Sequence, residues 1–332
     1  FNSPNPDHNT TMISMSRPLL ATSRRLLTSS ASRLGKQNAL RMQSAVGGHV
    51  SKSFLPATRV PAREIHGTKT DREVKVESND YYDGLSDHYY LFQQDWEGMV
   101  TKEREAFKNA FFGENINRVL DPSCGSGEQS IALAGLGLQV VSTDPSGGLV
   151  QKCAENAKKF GFESQVTAKQ SDFLNLTKDI EGPFDAIVTK GSSLPHLHTD
   201  SDLLQALKNF HTLLRPGGIV NIGVRDYDYF IKQKTKMYPR QVLVGEDINE
   251  HIIFDVWEWH KGSENQQLVN FNTFHINGDG PDFVTSKYIT TFRALFRKEM
   301  ESLLEQAGFT EIKVSKVNDW LWENVYTARR PM

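Results

Sequence analysis

From Arg118 onward, short apolar runs alternate with stretches of helical period. Runs at 118–121, 138–143, 165–170, 184–189 and 219–224 are short and rich in Val and Ile, as buried strands are. Between them, 128–136, 147–160 and 201–214 place apolar residues three and four apart and predict helices. Gly161 is placed to cap the second of these, and Pro216-Gly217-Gly218 to end the third before the next strand. Strand and helix in alternation imply an α/β protein whose sheet is mostly parallel, with right-handed crossovers. Beyond Tyr229 the pattern changes. HIIFDVWEW (251–259) and QLVNFNTFHI (267–276) have strand character around the turn KGSEN and predict an antiparallel hairpin, with SKYITTFRAL as a third run able to pair with it. The chain closes with a helix over 297–307, a Gly308-Phe309 cap and two strands, EIKVSKV and WENVYTARR, which bring the sheet to seven strands.

The expected organisation follows. Residues 71–229 hold an N-terminal lid and the core, 230–293 an inserted antiparallel β lid, and 294–332 the helix and strands that complete the core. Residues 1–70 do not read as folded protein. Between Met12 and Arg63 stand nine basic residues (Arg17, Arg24, Arg25, Arg33, Lys36, Arg41, Lys52, Arg59, Arg63) and no acid, among many Ser, Ala and Leu. That is the composition of an organelle transit peptide, mitochondrial in preference to plastid, although an ordinary basic tail on a cytoplasmic protein has the same look. The stretch 79–107 is dense in aromatics, with Tyr81, Tyr82, Tyr89, Tyr90, Phe92 and Trp96. It is either an amphipathic helix packed on the core or a lid whose tyrosines close over a ligand.

Composition narrows the function classes. A net charge of −2 over 332 residues argues against a broad nucleic-acid face. Cysteines at 124 and 153 alone form neither a disulfide framework nor a metal cluster. No apolar run approaches the roughly 18 residues of a membrane-spanning helix. The expected partner is a small molecule; a homo-oligomer is compatible with the composition.

Chemistry gathers at the carboxyl ends of the strands, where ligands of such sheets bind. RVLDPSCGSG (118–127) runs from a strand through Asp121 and Ser123 into a turn built on Gly125 and Gly127, and then into a helix. Glycine lets a ligand lie against the backbone. The second strand ends in Asp144, twenty-three positions past Asp121, where a carboxylate accepts ribose hydroxyls. The turn lacks the third glycine of G-x-G-x-x-G, and an acid at its start would repel a pyrophosphate. A ligand without phosphate and with a cationic head suits it, and S-adenosylmethionine is one. In these residues the chain resembles the class I, Rossmann-like methyltransferases.

After the third strand, Asp172 and Phe173 form a pair able to bind an adenine amino group and stack on its ring, or to serve as a helix cap beside a core aromatic. After the fourth, TKGSSLPHLH lacks the [DNS]-P-P-[YFW] of enzymes that methylate nucleic-acid amino groups. After the fifth, Arg225 opens VRDYDYF; its guanidinium is placed either to clamp a planar anion such as a carboxylate or to pair with Asp226 or Asp228. GSSLPHL, LLRPGG and VRDYDYF in this order, with YYDG upstream, resemble the glycine and glycine/sarcosine N-methyltransferases from about Asp80 to the C-terminus. The resemblance implies cofactor roles for Tyr81, Tyr89, Asp121, Ser123, Gly125, Gly127, Asp144, Asp172, Phe173, Lys190 and His196, and places Arg225, Ser192 and Tyr227 at the reacting amine, with Arg225 on the substrate carboxylate. It implies S-adenosylmethionine as donor, no metal, and a small carboxylate-bearing amine (glycine, sarcosine or dimethylglycine, toward betaine) as acceptor. A small-molecule O-methyltransferase and a non-catalytic binder of the donor are the alternatives. Ser192 replaces the asparagine common in that family, Lys190 precedes Gly191, and Phe292 in TTFRAL stands where a tyrosine is frequent.

Overall fold

The computed structural model describes residue 82 and residues 95–243, 250–279, 282–316 and 323–332. The basic segment 1–70 and the tyrosines 81, 89 and 90 lie outside the described residues. Helix α1 (Trp96–Ala110) precedes the core, capped by the Asp95 side chain on the Gly98 N–H. Strands β1 (Arg118–Asp121), β2 (Gln139–Asp144), β3 (Val166–Gln170) and β4 (Phe184–Thr189) follow, joined by helices α2 (Glu128–Ala134), α3 (Gly147–Lys159) and the short α4 (Leu176–Asp179). A 3₁₀ turn at Leu194–His196 and α5 (Asp200–Leu213) lead to β5 (Leu214–Arg225), and one further turn of helix, α6 (Tyr227–Lys232), leaves the core. The last elements are α7 (Arg297–Gln306), β10 (Thr310–Lys316) and β11 (Glu323–Arg329).

The seven-stranded sheet has the order β10-β11-β5-β4-β1-β2-β3, parallel except where β11 runs against β5 and β10. Strands β1, β4 and β5 are apolar on both faces because both faces are covered. Leu120, Ile187, Val220 and Ile222 join Leu203, Phe210 and Leu304 in one core, while Val119, Ala186, Val188 and Ile219 join Phe107, Ile131 and Cys153 in another.

The antiparallel sheet expected between β5 and the last helix is present with four strands rather than three: β6 (Met237–Leu243), β7 (Glu250–Lys261), β8 (Gln267–Asp279) and β9 (Asp282–Arg293), paired in that order. The sequence also places Pro216-Gly217-Gly218 as a stop before the fifth strand, and the structure corrects this. Leu214 already pairs with Phe184, the three residues form an irregularity with Gly217 at φ +72°, and pairing resumes at Ile219 opposite Ala186. Trp257, Val269, Phe271 and Phe292 pack into the first core. Among the described residues no helix is long and apolar enough to cross a membrane.

Candidate active site at the strand ends

The ends of β1 and β2 are locked to one another by the glycine turn. Gly125 and Gly127 hold φ of +51° and +101°, and a Cβ on Gly127 would lie 3.0 Å from Cys153 Sγ and 3.3 Å from its Cα, so side chains are excluded by both backbone and neighbour. Asp144 Oδ2 accepts from Gly125 N at 3.0 Å and Oδ1 from Ser146 N at 3.0 Å, which fixes the turn against β2. Ser123 Oγ lies 2.7 Å from Thr189 Oγ1 and ties the same turn to β4.

Asp121 is buried at the base of this turn. Ser130 Oγ donates to its Oδ2 at 2.7 Å, and Oδ1 has no hydrogen-bond partner among the described residues. Burial pushes the carboxyl up to about 7, against the pull of hydrogen bonds from Ser130 and the Ser123 backbone, with the charges of Asp144 and Glu128 adding to the rise. Such a group is a receptor for a cation. An orphaned buried carboxylate oxygen beside a turn with positive-φ glycines fits the ammonium-bearing end of S-adenosylmethionine, and Asp144, at the carboxyl end of β2, is placed for its ribose. Asp172 is committed locally: Oδ1 accepts from Leu174 N and Asn175 N, and Oδ2 from the Asn175 side chain. Phe173 meets Phe210 edge-on at 5.8 Å. Both still stand at the rim beyond β3.

Beyond β4, Lys190 is buried with its Nζ 5.8 Å from the Phe107 ring centroid. Ser192 takes φ +59°, is fully buried, and its Oγ accepts from Arg225 N at 2.5 Å, so the β4 loop holds the end of β5. His196 is kept neutral, its pKa lowered to about 3 chiefly by burial and further by the charges of His198 and Arg225. Its Nε2 is 3.0 Å from the Tyr82 hydroxyl, and its ring is 4.4 Å from Phe292.

Arg225 is the centre of the second half. Its Cζ lies 5.0 Å from the ring centroid of Phe271, 5.8 Å from Phe292 and 5.9 Å from Trp257, all three contributed by the inserted sheet. The two acids that follow it closely in the chain are engaged elsewhere: Asp226 Oδ1 caps α6 through Tyr229 N, and Asp228 Oδ2 accepts from Arg297 N. Among the described residues Arg225 makes no ion pair, and its buried Nη1 makes no hydrogen bond. The Tyr227 hydroxyl, fully buried beside it, also lacks a hydrogen bond of ordinary geometry; burial pushes its pKa up and the Arg225 charge draws it back.

The family profile described as a Methyltransferase domain matches residues 119–218, from the first residues of β1 to the irregularity in β5. Residues 119–218 thus form a methyltransferase domain, and the fold is Rossmann-like. It is 29% identical over 184 residues to the glycine/sarcosine N-methyltransferase of Halorhodospira halochloris, a match covering 52% of this chain and 68% of that protein. It is 30% identical over 149 residues to the glycine N-methyltransferase of Rattus norvegicus, covering 42% of this chain and about half, 51%, of the rat protein. Its fold superposes on the S-adenosylmethionine-bound amino pentose methyltransferase CalS10 of Micromonospora echinaspora with a TM-score of 0.57 at 15% identity, over 74% of this chain and 96% of that one. The methyltransferase domain and its fold support S-adenosylmethionine as the methyl donor.

The structure thus brings Asp121, Ser123, Gly125, Gly127 and Asp144 together at one end of the candidate site, and Lys190, Ser192, His196, Arg225 and Tyr227 at the other. Tyr81 and Tyr89 lie outside the described residues. Tyr82, one of the aromatics of the stretch read as a packed helix or a lid, meets His196. Sequence reasoning missed the members supplied by distant elements: Trp257 and Phe271 of the insertion, and Glu323 at the start of β11. Only Glu323 left a local trace, an acid opening an apolar strand.

Proposed function

We propose that this methyltransferase acts on the nitrogen of a small amino acid, glycine or one of its N-methylated forms, with the quaternary betaine as the end of the series. One observation carries the proposal: the Arg225 guanidinium sits among three aromatic rings and makes no ion pair among the described residues. A half-buried guanidinium whose Nη1 is shielded from water without a partner is costly, so the arrangement is sensible when the ligand supplies the anion. A carboxylate meets a guanidinium through two parallel hydrogen bonds. The relatives named for glycine and sarcosine support the same reading.

The donor supplies an electrophilic methyl group on a cationic sulfur. The protein's part is to hold and dehydrate the acceptor. Arg225 fixes the carboxylate, Ser192 holds the Arg225 backbone, and Phe271, Phe292 and Trp257 exclude water, so positioning supplies much of the rate. His196, neutral through the physiological range, joins the β4 loop to Tyr82 and Phe292 without adding a charge. The basic N-terminal segment is proposed as a mitochondrial transit peptide. Methyl transfer from labelled donor to a panel of amino acids and their amides tests the substrate: free glycine, sarcosine or dimethylglycine should be methylated and the corresponding amides poorly so. Equal turnover of acid and amide removes the proposal.

A further inference from the structure

A second buried group beside Arg225 has no part in the scheme so far. Glu323 is the first residue of β11, is 3% exposed, and lies directly opposite Arg225 in the antiparallel β5–β11 pair. Its side chain leans across Gly223: a Cβ on that glycine would be 2.2 Å from Glu323 Oε2 and 3.0 Å from Lys190 Cδ. Only glycine at this position of β5 leaves room for the carboxylate to enter between the strand ends. Oε2 is buried and has no hydrogen-bond partner among the described residues. The groups facing it are Lys190 from the end of β4, Arg225 from β5, Tyr227 from α6 and Glu103 from α1, together with the Ser192 backbone N–H.

Directly opposed residues of an antiparallel pair root their side chains about 4.5–5.5 Å apart. An α-amino acid carries its cation and anion on the same small skeleton, with one carbon between them. A cationic and an anionic receptor rooted side by side therefore match such a ligand at both ends. We infer that Glu323 receives the ammonium of the amino acid whose carboxylate Arg225 holds, and accepts its proton. This rests on the carboxylate reading of Arg225. The ammonium N–H bond breaks, an O–H bond forms at Glu323, and the nitrogen keeps the electron pair that methylation requires. The product is again an ammonium, so each turnover leaves one proton, which passes from Glu323 to solvent. Burial and the Glu103 charge raise the carboxyl while Lys190, Arg225 and the Ser192 N–H lower it, and the balance stands at about 7, close to the value at which a general base works best near neutrality.

Glycine and propionate, alike in shape but differing in the ammonium, separate this role from that of a counter-charge for Lys190. Calorimetry on the full chain should find glycine bound at least tenfold more tightly than propionate, and Glu323→Gln should erase the preference while propionate affinity holds. In turnover, the same variant should lose roughly 10²–10⁴-fold in kcat/KM and the acid limb of its pH profile near 7. Glu323→Asp, which keeps the charge, should restore part of the preference. A Glu323→Gln variant that retains the glycine preference and the acid limb, or that loses propionate and glycine equally while Glu323→Asp restores neither, overturns the inference alone. A wild-type protein that binds neither ligand overturns the carboxylate reading, and this inference with it.

Discussion

The two ends of the site handle their polar groups in opposite ways. At β1 and β2 the protein satisfies most of its own groups: Asp144 accepts from two backbone N–H groups, Ser123 meets Thr189, and Asp172 closes the turn after β3. At β4, β5 and β11 it leaves them open, with Arg225 Nη1, the Tyr227 hydroxyl and Glu323 Oε2 all buried without hydrogen bonds among the described residues. The first end is a cradle already set before its ligand arrives. The second is completed by the ligand itself. Asp121 Oδ1 marks where the first end borrows the second's strategy, at the one place that must face a cation.

Arg225→Lys is the sharpest test of that contrast. It keeps the charge and loses the two-pronged geometry, so kcat/KM for the free amino acid should fall by about 2–4 kcal/mol equivalent. Donor affinity should not move, and the amide should be almost insensitive to the change. If donor binding falls in step, the two ends are not separable. Asp144→Ala comes next, because it removes both the ribose acceptor and the clamp on Gly125; titration calorimetry should show donor binding weakened by about 1–3 kcal/mol. Unchanged binding would mean that the cradle does not depend on β2.

A smaller effect concerns protons at Asp121. Its folded pKa is raised from 3.8 to about 7, so the native state holds a proton that the unfolded state releases in between, and stability falls as pH rises from about 4 to about 7. Asp121→Asn should flatten that slope in denaturant titrations. Because a cation favours the ionised form, donor binding near pH 7 should release a fraction of a proton, read as a dependence of binding heat on the buffer. The smallest expectation is no effect at all: a chain beginning at Arg72 should bind donor and turn over like the full chain, and loss of folding in it would remove the transit-peptide proposal.

The cradle was legible in the sequence because its signals are local. Apolar runs fix β1 and β2, and an acid or a glycine at the end of each needs only the next few residues for its meaning, as Asp121, Gly125 and Asp144 show. At the second end only the residues at the ends of β4 and β5 and just after them were legible: Lys190, Ser192, His196, Tyr227 and Arg225. The rings around Arg225 come from β7, β8 and β9, whose face toward the core is set by pairing and not by neighbours in the chain. Strand β6 was hidden by Pro239, a strand breaker tolerated here on an edge strand, where the register shifts between Pro239 and Gln241. Pro216-Gly217-Gly218 misled for the same reason, since a bulge and a stop use the same residues. Asp172 showed the limit of type alone: cap and ligand acceptor call for the same carboxylate.

The pairing of β5 with β11 has a consequence for how the protein comes into being. Glu323 reaches its place opposite Arg225 only when residues 98 positions apart in the chain (225 to 323) meet. Closing so long a loop costs entropy before any contact rewards it, and domains emerge from the ribosome N-terminal part first. The glycine turn, α2, β2 and α3 lie within a single early stretch of about 40 residues, Arg118 to Lys159, and can associate while the rest is still being translated. A nascent chain stalled before β11 would own the donor cradle without the amine's receptor. Competence to hold the methyl donor therefore precedes, in the life of each molecule, competence to use it.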